Sequence, residues 1–213
     1  MKDSKYKKPG GTLILLVGGS DTGKSTTLKK TFIEPGIKNR KSFVIVDTMG
    51  EYEKDYPNLS FYNPAEEFLK EEGYLDKERA RLLFRKMRGE YSTGKYDGKI
   101  VIWEEASQML TPMETGSSQA VLQMTNLIKH RGCILIFVYQ SFRQIPEDLI
   151  RFSDLVIMKK TFNENLPRLE KVLNRDEYED FWSSYKFVNE SEKMWETATV
   201  QMRQQIIRKK SAK

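Results

Sequence analysis

The 213-residue sequence has a single cysteine, Cys133, and a single histidine, His130. One thiol excludes a disulfide framework. One Cys with one His leaves too few soft ligands for a structural zinc site. Glycine (13) and proline (7) are sparse, which excludes collagen-like and low-complexity chains. No apolar run approaches the length that spans a bilayer. Met1 to Lys8 is basic but lacks an apolar h-region, so neither end reads as a targeting signal. Hydrophobic residues make up 38% and charged residues 31%, a balance that fits neither a membrane bundle nor a disordered chain. The expectation is a soluble cytoplasmic protein of one domain, or one domain with a small appendage, able to bury a core without cross-links.

The net charge of +6 is unevenly placed. Residues 1–8 carry +3 and residues 203–213 carry +5, so the body between them is −2. Within the body, Lys77 to Lys99 holds eight basic residues against three acids. Charged tails and helices are commonly just solvated. The functional alternative is that local basic patches meet a phosphate backbone.

Short apolar runs alternate with longer amphipathic stretches. Thr12–Val17, Phe43–Val46, Ile100–Trp103, Ile134–Tyr139 and Leu155–Met158 read as buried strands, with Leu59–Tyr62 a further possibility. Helices are predicted over Thr26–Ile33 (stopped by Pro35-Gly36), Ala65–Glu72, Lys77–Arg88, Gln119–Lys129 and Leu166–Tyr185. Gly89–Gly98 reads as a polar loop. Tyr185–Val188 and Trp195–Val200 are candidates for a late hairpin. Buried strands separated by helices indicate an α/β fold, a three-layer sandwich with a mainly parallel central sheet. The expected organisation is a basic tail over 1–9, an α/β core over 10–160 and a helical extension with a basic tail over 161–213.

Gly18-Gly19-Ser20-Asp21-Thr22-Gly23-Lys24-Ser25, followed by Thr26, fits the phosphate-loop pattern. It follows a predicted strand and opens a predicted helix, as the motif requires. Glycines let backbone N–H groups turn inward around a phosphate, and the helix start adds the positive end of its dipole. In such loops the lysine, here Lys24, reaches the β- and γ-phosphates of ATP, and the hydroxyl, here Ser25, ligates Mg²⁺.

Ile100-Val-Ile-Trp103 ends in Glu104-Glu105. Two carboxylates at a strand end suit a Walker B site, with Glu104 holding Mg²⁺ and Glu105 orienting or deprotonating an attacking water. An Asp is more usual at the first position. Asp47, at the end of Phe43–Val46, is a rival with the same hydrophobic-then-acid form. Gln140, at the end of Ile134–Tyr139, is placed to hydrogen-bond a γ-phosphate and report its loss.

Together these segments resemble the HerA/FtsK superfamily of P-loop motors. The most distinctive is Asp47-Thr-Met-Gly50-Glu51-Tyr52 after the second strand. Lys129-His130-Arg131-Gly132-Cys133 and the run from Gln140-Ser141 through Pro146 to Arg151 look more specifically like small viral genome-packaging ATPases, those of membrane-containing viruses with double-jelly-roll capsids. The resemblance implies a pentameric or hexameric ring, ATP hydrolysed with Mg²⁺ at subunit interfaces, and double-stranded DNA in the pore. It also implies an arginine finger from a neighbour, for which Arg131 and Arg151 are the candidates. Partners would include capsid or membrane-vertex proteins, and the location would be host cytoplasm or the virion packaging vertex. Arg79–Lys99, Leu110–Ser118 and the C-terminal Arg203–Lys213 are candidate DNA contacts.

Three other readings fit parts of the pattern. A plasmid or cellular HerA/FtsK-like DNA pump would share the motifs. A nucleotide kinase would share the phosphate loop but have no use for Glu105. A nucleotide-gated assembly factor of the phage-extrusion kind usually needs a membrane segment, and the sequence has none to offer.

Overall fold

The computed structural model describes residues 10–47, 50–57, 61–68, 76–108, 131–161, 166 and 169–202. Five short β-rich runs become parallel strands where the sequence places them: β1 (Thr12–Val17), β2 (Phe43–Val46), β3 (Ile100–Trp103), β4 (Ile134–Tyr139) and β5 (Leu155–Met158). A sixth, β6 (Ala198–Gln201), joins antiparallel to β5. The sheet order is β2-β3-β4-β1-β5-β6. The register is in phase across the centre: Thr12 lies beside Ile134, and Val17 beside Tyr139. The C-terminal ends of β1, β3 and β4 therefore reach one edge of the sheet together.

The strands are buried on both faces, so they read as continuous apolar runs. The two-residue period divides their side chains between two cores. Leu13, Leu15, Val17, Trp103, Phe137 and Tyr139 face one layer, which holds α4 (Lys77–Ser92), α5 (Glu147–Phe152), α6 (Leu169–Val172) and α7 (Arg175–Glu190). Ile14, Leu16, Ile45, Ile102 and Ile136 face the other, with Leu28, Ile33 and Tyr52 from α1 (Lys24–Leu28), a π-helical turn (Lys29–Ile33) and α3 (Glu51–Asp55). This is the expected three-layer α/β sandwich.

Several expected boundaries move. Pro35-Gly36 does not stop the first helix, because the chain continues as α2 (Glu34–Lys38) with Pro35 in its first turn. Proline tolerates that position, where its missing N–H would be unpaired anyway. Gly36 is there for space, since a Cβ would stand 2.6 Å from the Phe43 ring and 2.8 Å from Ile100 Cδ1. α4 runs past Arg88 to Ser92, because Tyr91 buries completely and extends its apolar face. Tyr62 makes a single parallel bridge to Val44 and Phe61 is not part of a strand, while residues 59–60 of the expected Leu59–Tyr62 strand lie outside the described residues. Of Ala65–Glu72, Glu66–Phe68 form a 3-10 turn.

The expected late hairpin is not formed. Tyr185 and Val188 belong to α7, where Phe181, Tyr185 and Val188 are spaced to bury on one helical face. Asn174 and Glu177 form a capping box that starts α7 afresh, so the predicted Leu166–Tyr185 helix divides before it. The intended partner strand instead finds β5, and the chain after residue 160 thereby contributes both a covering helix and an edge strand to the main sheet. The tails 1–9 and 203–213, the Gln119–Lys129 helix, His130 and the Leu110–Ser118 loop lie outside the described residues.

Candidate active site

The phosphate loop leaves β1 at the sheet edge, between β4 and β5. Gly18 N–H donates to Tyr139 O at 3.1 Å and Gly19 N–H to Lys160 O at 2.8 Å, so both neighbouring strand ends anchor it. Gly18 has no room for a side chain: a Cβ there would overlap Lys159 Cβ and stand 2.7 Å from Thr22 Oγ1. Gly23 has φ 84°, in the left-handed region that glycine adopts without strain. Asp21 shares that region at φ 59°, where Asp is among the better-tolerated residues. Thr22 is buried and its hydroxyl donates to Gly19 O at 2.9 Å, closing the loop on itself. Ser20, Asp21 and Thr26 are exposed and Ser25 is half-buried at the mouth.

Lys24 folds back over the loop. Its Nζ donates to Gly18 O at 2.7 Å and to Gly19 O at 2.8 Å. Burial lowers its pKa, while the charges of Glu105, Glu104 and Asp21 act in the opposite direction. Lys24 thus stands in the field of the carboxylates at the end of β3, although 80 residues separate it from Glu104 in the chain.

Glu104 and Glu105 follow β3 at the same edge. Glu104 N–H donates to Val46 O at 3.3 Å, continuing the pairing of β3 with β2. Glu105 has φ 50°, a left-handed conformation uncommon for a residue with a long side chain. Its carboxylate accepts from Gln140 Nε2 at both oxygens, at 3.0 and 3.1 Å. The carboxylate of Glu104 accepts from the hydroxyl of Tyr52. Tyr52 is fully buried, and its N–H donates to Asp47 Oδ2 at 3.0 Å. Asp47, the rival acid, is buried and braces α3 in this way. Asn63 ties in its backbone, donating to Asp47 O at 2.8 Å.

The structure therefore brings together Gly18 to Thr26, Glu104, Glu105 and Gln140. It does not bring Arg131 or Arg151 to the loop of their own chain. Arg131 lies before β4, at the opposite sheet edge, roughly 20 Å away by the rise of a six-residue strand. Its guanidinium pairs with Asp97 at 3.2 Å and donates to Ser92 O at 2.8 Å. Arg151 is exposed in the last turn of α5, just before Asp154, whose N–H donates to Leu13 O at the start of β1.

Three side chains at this edge had no role assigned from sequence. Tyr52 stood only as a marker within a motif. Lys159 follows β5, is 5% exposed, and lies against both Gly18 and Gly23. Trp195 donates through Nε1 to Asp21 O at 3.2 Å. No local pattern marks the last two, since the contacts span most of the chain.

The donor set at the edge is one hydroxyl and two carboxylates, facing a glycine cradle. Among the described residues no cluster of three or more His, Cys, Asp or Glu could hold a metal by itself. A hard cation that takes one or two side-chain oxygens and completes its shell with phosphates and water, as Mg²⁺ does, fits this set.

A strand–loop–helix phosphate cradle in a mainly parallel six-stranded sheet defines the P-loop NTPase fold. The chain is similar to the genome-packaging NTPase B204 of Sulfolobus turreted icosahedral virus 2. In complex with AMP that protein gives a TM-score of 0.64 at 19% identity, covering 91% of this chain and 94% of that one. With ATP-gammaS the TM-score is 0.63 at 20% identity, covering 92% and 93%. The DNA-packaging ATPase B204 of Sulfolobus turreted icosahedral virus gives 0.62 at 18% identity, covering 92% and 99%. At these identities the likeness is one of fold. No protein-family model and no curated protein matches the sequence.

Proposed function

We propose that the chain is an ATPase that drives double-stranded DNA into a viral capsid, working as a ring of five or six copies. The single observation that carries the hydrolytic part is the Gln140–Glu105 hydrogen-bond pair beside Lys24. A carboxylate held by a neutral amide at this edge is suited to take a proton from water. A kinase has no need of it. The packaging part rests on the similarity to B204 over nearly the whole of both chains.

In this reading the backbone of Gly18 to Gly23 cradles the triphosphate, and Lys24 exchanges its two loop carbonyls for β- and γ-phosphate oxygens. Ser25 and Glu104 would hold Mg²⁺, with the Tyr52 hydroxyl fixing the Glu104 carboxylate. When bound, Mg²⁺ would neutralise charge on the β- and γ-phosphate oxygens. Glu105 orients the attacking water and accepts its proton. Gln140 holds Glu105 while the γ-phosphate is absent and turns to that phosphate when it is present. A neighbouring subunit supplies the arginine. Arg151 is exposed for that purpose, whereas Arg131 must first leave Asp97.

The track is read through its backbone. Arg81, Arg85 and Arg88 are exposed on α4 at a spacing that places them on one face. Such a stripe suits phosphates and carries no base preference. No helix among the described residues is long and apolar enough to cross a membrane. The proposed setting is the host cytoplasm or the packaging vertex of the virion, against capsid or vertex proteins.

ATPase rate measured against added linear duplex DNA, with mass determined in parallel, tests the proposal. Stimulation by duplex DNA in a pentamer or hexamer is expected. A monomer whose turnover ignores DNA would overturn the ring translocase.

A further inference from the structure

Trp195 is 74% exposed, the most open of the large apolar side chains among the described residues. An indole so placed leaves a large ring face open to water. It is nevertheless held in place. Its Nε1 donates to Asp21 O at 3.2 Å. Its own carbonyl accepts from Lys159 Nζ at 3.2 Å and from Thr197 Oγ1 at 3.3 Å. The five-membered ring lies against the phosphate loop, 3.4 to 3.8 Å from where a Cβ on Gly23 would stand. One edge of the indole is thus pinned to the loop and most of the ring remains open.

The sheet order gives this position a direction. β1 lies between β4 and β5. On the β4 side stand Glu104, Glu105 and Gln140, the groups suited to the terminal phosphate. On the β5 side stand Lys159 and, from the segment entering β6, Trp195. A nucleotide lying across the edge with its γ-phosphate toward Glu105 must extend its other end toward β5 and β6. The first open π-face on that side is Trp195.

We propose that Trp195 is the nucleobase platform of the site, its open indole face stacking on the base of a nucleoside triphosphate whose phosphates occupy the loop 18–25. The proposal rests on the nucleotide-binding reading above and adds to it the base-binding group. Stacking uses a ring face that every base has, so the platform holds the ligand without selecting it by hydrogen bonds. Lys159 and Asp21 act as positioning residues that keep the indole at the loop.

The test is a calorimetric titration of the full chain, with Mg²⁺ present, by ATP and by inorganic tripolyphosphate. Tripolyphosphate has the phosphates without the base. Trp195→Ala is expected to weaken ATP about tenfold, equal to about 1.4 kcal/mol, and to leave tripolyphosphate unchanged. Trp195→Phe, which keeps a stacking face, is expected to retain most of the ATP affinity. Equal weakening of both ligands would show that Trp195 only orders the loop, and unchanged ATP affinity would show that the base lies elsewhere. Either result overturns the platform, as does loss of self-association with ATP affinity intact. A wild-type chain that binds neither ligand removes the nucleotide-binding reading itself, a distinguishable failure.

Discussion

Gln140 donates from one side-chain nitrogen to both carboxylate oxygens of Glu105, at 3.0 and 3.1 Å. The two residues close adjacent parallel strands, so the pairing of β3 with β4 delivers both to one edge. The link gives a direct expectation for Glu105→Gln. The substituted amide keeps an acceptor for Gln140 and removes the basic oxygen. ATP binding is expected to persist while hydrolysis falls about 10²- to 10⁴-fold. Filter binding beside a phosphate-release assay measures both. Retained hydrolysis would remove Glu105 as the base.

Tyr52→Phe takes one hydroxyl from Glu104 and leaves the buried ring in place. A carboxylate that is no longer oriented holds a cation less well. The Mg²⁺ concentration for half-maximal ATPase activity is expected to rise roughly tenfold. A wild-type Mg²⁺ dependence in a folded variant would count against the positioning role.

Gly18→Ala places a methyl group against Lys159 Cβ and Thr22 Oγ1. Both neighbours are buried, so the strain has no easy outlet. A loss of about 1–3 kcal/mol is expected, with weaker binding of triphosphate because the loop must shift. Thermal unfolding and tripolyphosphate titration check it, and an unchanged melting temperature would contradict the packing.

Cys133 is fully buried just before β4, and burial pushes its thiol from an ordinary 9.0 up to about 11. The native state therefore keeps a proton that the unfolded chain gives up. The resulting stability is complete below about pH 9 and is lost as pH rises toward 11. Ellman's reagent at pH 8 is expected to leave the native thiol unlabelled and to react fully in denaturant. Across pH 9 to 11 the urea midpoint should fall further in the wild type than in Cys133→Ala. Rapid labelling of the native protein would refute this.

The sheet was legible because each parallel strand is buried on both faces and so appears as an unbroken apolar run. The phosphate loop was legible because its glycines, lysine and hydroxyl are contiguous. Boundaries governed by packing were not. Pro35 looked like a stop, yet it sits in a helix whose Gly36 meets the Phe43 ring. Tyr185 and Val188 looked like a strand, yet their spacing from Phe181 fits one face of α7 equally well. Short apolar runs carry too few residues to separate the two periods.

Sequence identified which chemical groups are present and, for the contiguous loop, how they are arranged. It also placed Glu104, Glu105 and Gln140 at strand ends. It could not say which ends meet, since strand order follows from how the layers cover the sheet and not from any local pattern. The parallel pairing of β2 with β3 set Asp47 and Glu104 at the same edge, where Tyr52 engages both, its N–H donating to Asp47 and its hydroxyl to Glu104. Folding carried Arg131 to the far edge and bound it to Asp97. It also laid Trp195 on the loop across 174 residues of chain. Contacts of that span depend on β5 and β6 pairing in one register, a property of the whole sheet.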